Sequence, residues 1–308
     1  MRRFSFVTVD VFTDRRFGGN PLAVLPDASG LGGAEMQSLA AEFNLSETTF
    51  VLPPDDPANT ARVRIFNRTS EMPFAGHPNV GTGWVLAGLG RDRGGVLRFE
   101  EIAGLVEVQV QRDGAAPTPR AVTIAAPQPL SLGPEMPVDL LAGCVGLAAE
   151  EVVVAAHRPV VASVGNSFVV AEVTAPALSR AIPDLARFKA AREAFPALGP
   201  RRLPLYLYTH DGEAAHDGEP RGATRLRARM FSPLSGTLED AATGSAATPL
   251  AALLLSLTGD REHRYEVTQG VEMGRPSLLL CTAHRAADSI RASVGGSCVA
   301  VQQGEIEL

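Results

Sequence analysis

Cysteine is scarce, with three in 308 residues. Cys144, Cys281 and Cys298 are far apart and have no CxxC spacing, which excludes a disulfide framework and a thiolate metal site and fits a reducing compartment. Long apolar runs are missing too: the longest, 249–257, falls well short of the ~20 residues that span a bilayer. The opening MRRFSFVTVDVF alternates like a strand and has no signal-peptide h-region. Neither sign of charge dominates, with 28 Lys and Arg against 34 Asp and Glu and a formal net charge of −6. That balance argues against nucleic acid or an anionic membrane as a partner. No GxxxxGK[ST] occurs, and the glycines of GTGWVLAG fit no GxGxxG register. His210 and His216, in a loop rich in Asp, Glu and Gly, read as solvated residues rather than metal ligands. A cytoplasmic protein with a small-molecule substrate and neither metal nor cofactor is expected.

What the chain does contain is a repeat. GNPLAV at 19–24 recurs as GNSFVV at 165–170, and RVRIF at 62–66 recurs as RARMF at 227–231. EMPFAGHPNVGTGWVLAGLG at 71–90 recurs as EDAATGSAATPLAALLLSLTG from 239, placing Gly76 and Gly244 in equivalent positions. Phe99-Glu100 with Gly104 then resembles Tyr265-Glu266 with Gly270. Four matches in one order point to a structural duplication, and the length suits two domains of about 150 residues each. The boundaries expected are 1–118, joined by a C-terminal strand at about 288–308, and 119–287. RDGAAPTPR, at 112–120, is the best linker candidate.

Strands are read in FVTVDVF, TTFVLP, ARVRIFN, GLVEVQVQ, VVVAAH, SFVVAEV, LPLYLYT and RLRARMF. AEMQSLAAEFN reads as an amphipathic helix with Met36, Leu39, Ala40 and Phe43 on one face. PDLARFKAAREAF is its counterpart in the second half. The helices after Gly76 and Gly244 have hardly a polar face, so each is expected to be buried on all sides. The fold class expected is α+β: two pseudo-symmetric domains, each a barrel-like mixed sheet wrapped around a central helix. Gly81 and Gly83 would let the enclosing strands approach closely, with residues 84–89 filling the barrel. A buried helix still has free N–H groups in its first turn, and with the macrodipole these favour an anion. Small residues at both helix starts, Ala75-Gly76 and Thr243-Gly244-Ser245, leave room for a ligand in a cleft shared by the two halves. For His77 a satisfied core histidine is the alternative reading, and for Asp240 a helix cap.

Chemistry needs an asymmetric group on a symmetric scaffold. In NLSETTFV, Glu47 ends a helix–strand connection and precedes an apolar strand, and the equivalent ALGPRRLPLYLYT has no acidic residue. A carboxylate at such a strand mouth is poised for a raised pKa and general acid–base work; a surface Glu paired with an arginine is the alternative. NLSETTFV, EMPFAGHPNVGTGWVL, EDAATGSAA and QGVEMGRPS together resemble the PhzF-like (phenazine biosynthesis-like) family, whose fold is similar to diaminopimelate epimerase and proline racemase. The resemblance covers nearly the whole chain. It implies Glu47 as the acid–base, His77 and Asp240 as polar catalytic partners, and Ser46, Gly76, Gly244 and Ser245 as substrate-binding residues. Ala241 departs from the proline frequent in the family, and a looser turn is expected there.

The function implied is a cofactor-independent isomerase that moves a proton between carbons of a small carboxylate-bearing or cyclic unsaturated metabolite. Two alternatives remain open: a two-base epimerase or racemase using His77 or Asp240 as second base, and a non-catalytic metabolite-binding protein. A two-thiol racemase is disfavoured because no cysteine lies near either glycine turn. A homodimer is expected from the resemblance and from the frequency of twofold assemblies.

Overall fold

The computed structural model of the chain describes residues 1–114, 116–199, 202–212, 222–287 and 289–308; His216 lies outside them. The chain divides into two compact units, Met1–Ala125 with Gly295–Leu308, and Ala126–Val294. The first unit begins β1 (Arg3–Val11), β2 (Asn20–Leu25), α1 (Gly33–Phe43), β3 (Glu47–Leu52), β4 (Ala61–Asn67) and β5 (Glu71–Met72). It continues with α2 (Gly76–Gly88), β6 (Val96–Glu101), β7 (Gly104–Gln111) and β8 (Ala121–Ala125). The second opens with β9 (Ser131–Glu135), α3 (Val138–Cys144), β10 (Val152–Val153), β11 (Val160–Ser163) and β12 (Ser167–Val173). Then follow α4 (Ala175–Arg180), α5 (Leu185–Ala194), β13 (Leu205–His210), β14 (Thr224–Ser232), β15 (Thr237–Asp240) and α6 (Gly244–Ser256). Last come β16 (Glu262–Gln269), β17 (Ser277–Ala286) and β18 (Ser289–Gly296), after which β19 (Cys298–Glu307) belongs to the first unit again. The fold is α+β and rich in strands. Among the described residues no helix is long and apolar enough to cross a membrane.

Pairing inside each unit repeats the same pattern. β2 lies parallel to β3, β3 antiparallel to β4, β4 parallel to β6, and β6 antiparallel to β7. In the second unit β12, β13, β14, β16 and β17 are related in the same order and the same senses. β19 pairs antiparallel with β1 along its length, from Arg3↔Glu307 to Val11↔Cys298. The chain on either side of RDGAAPTPR pairs as β7 and β8, with Gln111 opposite Ala121. That segment therefore joins two strands of one sheet, and the chain passes between units after Ala125. VVVAAH contributes only the two residues of β10, because strand pairing with β12 stops at Val153.

Each unit closes around one helix. α2 packs against β1, β2, β3, β7 and β8, and α6 against β11, β12, β16 and β17. Eleven of the 13 residues are buried in α2, and eleven of 13 in α6, so neither helix has a solvent face. Leu89 corrects the expected filling: it follows the helix and is 57% exposed. Trp84 is half-buried and donates from Nε1 to the Pro119 carbonyl at 3.0 Å, because an indole N–H at the edge of a core needs an acceptor. On the outside of the first unit, Met36, Leu39 and Ala40 of α1 pack with Phe4, Leu25, Phe50 and Phe66, and Phe43 lies partly buried against them. Phe188 and Ala191 of α5 join the equivalent cluster in the second unit.

The helix glycines are where the strands come closest. A Cβ on Gly81 would lie 2.6 Å from Leu22 Cδ2 and 2.8 Å from Val11 Cγ2; one on Gly83 would lie 2.7 Å from Val108 Cγ1. Leu22 and Val11 are fully buried and have nowhere to go. Gly81→Ala is expected to lose about 1–3 kcal/mol to overpacking, more than the ~1 kcal/mol that alanine gains over glycine in a helix. Urea unfolding measures the balance, and a variant more stable than the parent would show that the strands relax freely.

Candidate active site

In the first unit the site is built by a helix end, two strand starts and a helix start. α1 stops at Asn44, which takes the left-handed conformation (φ 52°) tolerated by asparagine. The chain then enters β3 at Glu47, opposite Leu22 on one side and Asn67 on the other. Its carboxylate is mostly buried and its Oε2 lies 3.4 Å from His77 Nε2. The first turn of α2 carries Gly76 and His77, both buried. Their backbone N–H groups have no carbonyl one turn earlier to bond.

Asn20, at the start of β2 and 2% exposed, ties these residues together. Its Oδ1 accepts from Ser46 Oγ at 3.3 Å, and its Nδ2 lies 3.4 Å from His77 Nδ1. An amide nitrogen only donates, so Nδ1 is the bare nitrogen and Nε2 carries the proton. Burial pushes the His77 pKa down to about 3, so the ring is neutral at physiological pH. The contact with Glu47 is therefore not an ion pair, and although the two atoms lie 3.4 Å apart they do not meet at hydrogen-bonding geometry. Asn20 was legible only as part of the GNPLAV repeat; nothing marked it as the residue that sets the histidine tautomer. Of the expected site residues, Glu47, His77, Ser46 and Gly76 are brought together here. The partner given to Glu47 is a histidine rather than a surface arginine.

The second unit builds the equivalent turn from different groups. Asp240 is the last residue of β15, opposite Met230. The residue at the N-cap position of α6 is Thr243, not Asp240, and its side chain makes no capping hydrogen bond to the helix. Thr243 Oγ1 donates to Asp240 Oδ2 at 2.6 Å. Below them is Gln269, fully buried at the end of β16. Gln269 Nε2 donates to the Asp240 carbonyl (2.8 Å) and to Thr243 Oγ1 (3.0 Å), and Oε1 accepts from Thr243 N (3.2 Å) and Tyr206 Oη (3.1 Å). Ser277 Oγ donates to the Ala241 carbonyl at 3.0 Å. Gly270, at φ +75°, sits so close that a Cβ would lie 2.6 Å from the same oxygen. The turn at Ala241 is thus pinned from beneath, where the missing proline suggested looseness. Gly244 and Ser245 follow in the first turn of α6, Gly244 buried and Ser245 half-buried.

The register explains why one carboxylate stands alone. Thr48 pairs with Ala23 and Phe66 as Leu205 pairs with Val169 and Phe231. The residue before Leu205 is Pro204, so a proline with no ionisable group occupies the counterpart of Glu47. A second duplicated device lies behind each helix start. Arg64 grips Glu71 through two hydrogen bonds of 2.6 and 2.7 Å, and Arg229 grips Glu239 through two of 2.8 Å. Each guanidinium also lies over the phenylalanine two residues on, Phe66 at 5.1 Å and Phe231 at 4.8 Å. These clamps hold the strands that lead into the turns at Gly76 and Gly244. The three thiols are buried, and burial pushes each up to about 12, so none is a base at neutral pH. Among the described residues no group of three or more His, Cys, Asp and Glu side chains is placed to hold a metal ion.

Comparison with known proteins identifies the family. The model of the phenazine biosynthesis-like protein family (PhzC-PhzF) matches residues 9–304. The trans-2,3-dihydro-3-hydroxyanthranilate isomerase of Pseudomonas aeruginosa is 36% identical, over 98% of this chain and 99% of its own. A protein of Mesorhizobium japonicum named as an uncharacterized isomerase is 35% identical over 99% of each chain. Among solved structures, a PhzF-family phenazine biosynthesis protein from Bacillus anthracis aligns over 100% of both chains with a TM-score of 0.85. At 23% identity that likeness is one of fold. With the family pattern spanning almost its whole length and two relatives above 30% identity, the chain belongs to the phenazine biosynthesis-like family of isomerases.

Proposed function

We propose that the protein is a cofactor-independent isomerase in which Glu47 carries one proton between two carbons of a small unsaturated carboxylate. The observation that supports this most is the setting of Glu47: a single carboxylate 3.4 Å from a neutral histidine, beside a helix start with open N–H groups. Glu47 removes a proton from an sp³ carbon, the C–H electron pair enters the conjugated system and the double bond shifts. The protonated Glu47 then returns the proton at a second carbon, so acid and base are one residue and no redox partner is needed. His77 Nε2–H and the amides of Gly76 and His77 stabilise charge that develops on the substrate. Asp240, Gly244 and Ser245 offer hydrogen-bonding groups to a ligand at the second unit's own turn, and Ser46 helps to fix the substrate beside Glu47.

The substrate to try first is trans-2,3-dihydro-3-hydroxyanthranilate, for which the Pseudomonas aeruginosa relative is named. Turnover in D₂O is expected to move the double bond and to place deuterium at the carbon that becomes sp³ in the fraction of turnovers in which protonated Glu47 exchanges with solvent before returning its proton. Deuterium at the original carbon with inverted configuration would instead identify the two-base epimerase. Exchange in no bound carboxylate would leave a binding protein. Against the epimerase, His77 is a weak second base, its pKa having been pushed down to about 3, and Pro204 supplies none.

A further inference from the structure

Gln269 has a counterpart in the first unit whose chemistry differs. β4 and β6 pair with Arg62 opposite Glu100, and β14 and β16 pair with Arg227 opposite Thr268. The next residues along the two strands are Glu101 and Gln269, so the register sets Glu100 against Thr268 and corrects the match of Phe99-Glu100 with Tyr265-Glu266 by two residues. Both lie beneath the turn that starts the central helix, and Ala103 N, just past Glu101, donates to the Pro73 carbonyl in that turn at 3.1 Å. Where the second unit offers the Thr243 hydroxyl, the first has Ala75 and uses Asn79. This fully buried residue donates from Nδ2 to the Ala75 carbonyl at 3.1 Å.

The hydrogen bonds beneath this turn do not close with an ionised carboxylate. Neither oxygen of Glu101 reaches solvent and neither meets a donor at bonding geometry; Asn79 Oδ1 is a buried acceptor in the same condition. Acceptors left this way need a proton between them. The charged groups around the pocket at this end of β6 are Arg62 and Arg64 on β4, Glu71 on β5, Asp55 after β3, and Glu100. α2 contributes the neutral Asn79. Arg64 is held by Glu71 and Arg62 by Asp55, while Glu100 accepts from the amides of Asp55 and Asp56 and from Asn59. Each arginine of the pocket is therefore already committed.

We propose that Glu101 is a positioning residue that works as a neutral carboxylic acid, its hydroxyl donating to Asn79 Oδ1 and so holding the turn that presents Gly76 and His77. A carboxylic acid offers one donor and one acceptor, as the Gln269 amide does in the other unit. Burial pushes the Glu101 carboxyl up to about 8; the Asn79 amide nearby pulls the other way, but its Nδ2 is committed to the Ala75 carbonyl and reaches neither carboxyl oxygen at bonding geometry. With the folded pKa above the unfolded one, the folded state binds the extra proton between about pH 4.5 and 8, and this contribution to stability is lost as pH rises through that window. The consequence for catalysis rests on the assignment of Glu47 and His77 above; the titration itself does not.

Two measurements test the proposal. By NMR of the intact protein, the Glu101 carboxyl carbon, assigned by its absence in Glu101→Gln, is expected to titrate near pH 8. The His77 ring signals should move in the same step, which Glu101→Gln abolishes. In turnover of trans-2,3-dihydro-3-hydroxyanthranilate, kcat/KM should fall about tenfold between pH 7 and pH 9 in the parent and stay within about twofold in Glu101→Gln. Titration near the ordinary glutamate value, unmoving His77 signals, or an unchanged alkaline limb in Glu101→Gln overturns it. If no isomerase turnover is found in the parent, the NMR titration still decides the role of Glu101 while the isomerase reading fails separately.

Discussion

Glu47→Gln is expected to lower kcat/KM by about 10²–10⁴-fold, the range that a positioned general acid–base supplies, with an unchanged unfolding transition. The amide is close in size to the carboxylate and can keep its place 3.4 Å from His77 Nε2. It cannot take a proton from carbon, however. Because Asn20 fixes the tautomer through Nδ1, the ring has no reason to turn over and substitute as a base. Solvent deuterium should therefore disappear from recovered substrate and product alike, and retention of exchange in a folded variant would remove Glu47 from the mechanism. Assays belong near pH 7. His77 has a folded pKa of about 3, below the ordinary 6.5, so the stability from keeping it neutral is fully present above pH 6.5 and is lost as pH falls towards 3.

The equivalent turns of the two units were unequally legible in the sequence. The glycine helix starts and Glu47 stood out because a repeat makes any asymmetry visible, and apolar helices announce their own burial. Gln269 and Glu101 did not stand out, although both lie in quoted or adjoining segments. In YEVTQG and LRFEEI a polar residue at a strand end reads as solvent-facing, and only strand register shows that it lies beneath a helix start. The Glu47–Pro204 correspondence was hidden for another reason. The connection from β12 to β13 carries α4 and α5, where β2 to β3 carries α1 alone, so the offset between repeats drifts from strand to strand. Leu89 misled because it continues an apolar pattern one residue past the end of α2, where the chain has already left the core.

The duplicated arginine clamps offer a comparison that sequence alone would treat as equal. Arg229→Leu is expected to cost about 3–5 kcal/mol, the range for removing one partner of a buried pair, and Arg64→Leu about 1 kcal/mol. The side chain of Arg229 is 7% exposed and that of Glu239 15%, against 28% and 25% for Arg64 and Glu71. Beyond its carboxylate, Arg229 also donates to the carbonyls of Leu178 (2.9 Å) and Ala181 (2.8 Å) at the end of α4. Removing it strands a carboxylate and two carbonyls where water does not readily follow. Arg64 faces a pocket instead, with Asp55, Arg62 and Glu100 on its walls, so its loss leaves Glu71 open to hydration. Urea unfolding of the two variants side by side measures the difference, and equal costs would mean that geometry rather than burial sets the value of each clamp. Because β15 carries both Glu239 and Asp240, Arg229→Leu should also loosen the turn that starts α6, whereas Arg64→Leu acts on a turn that Asn79 and Glu101 hold independently.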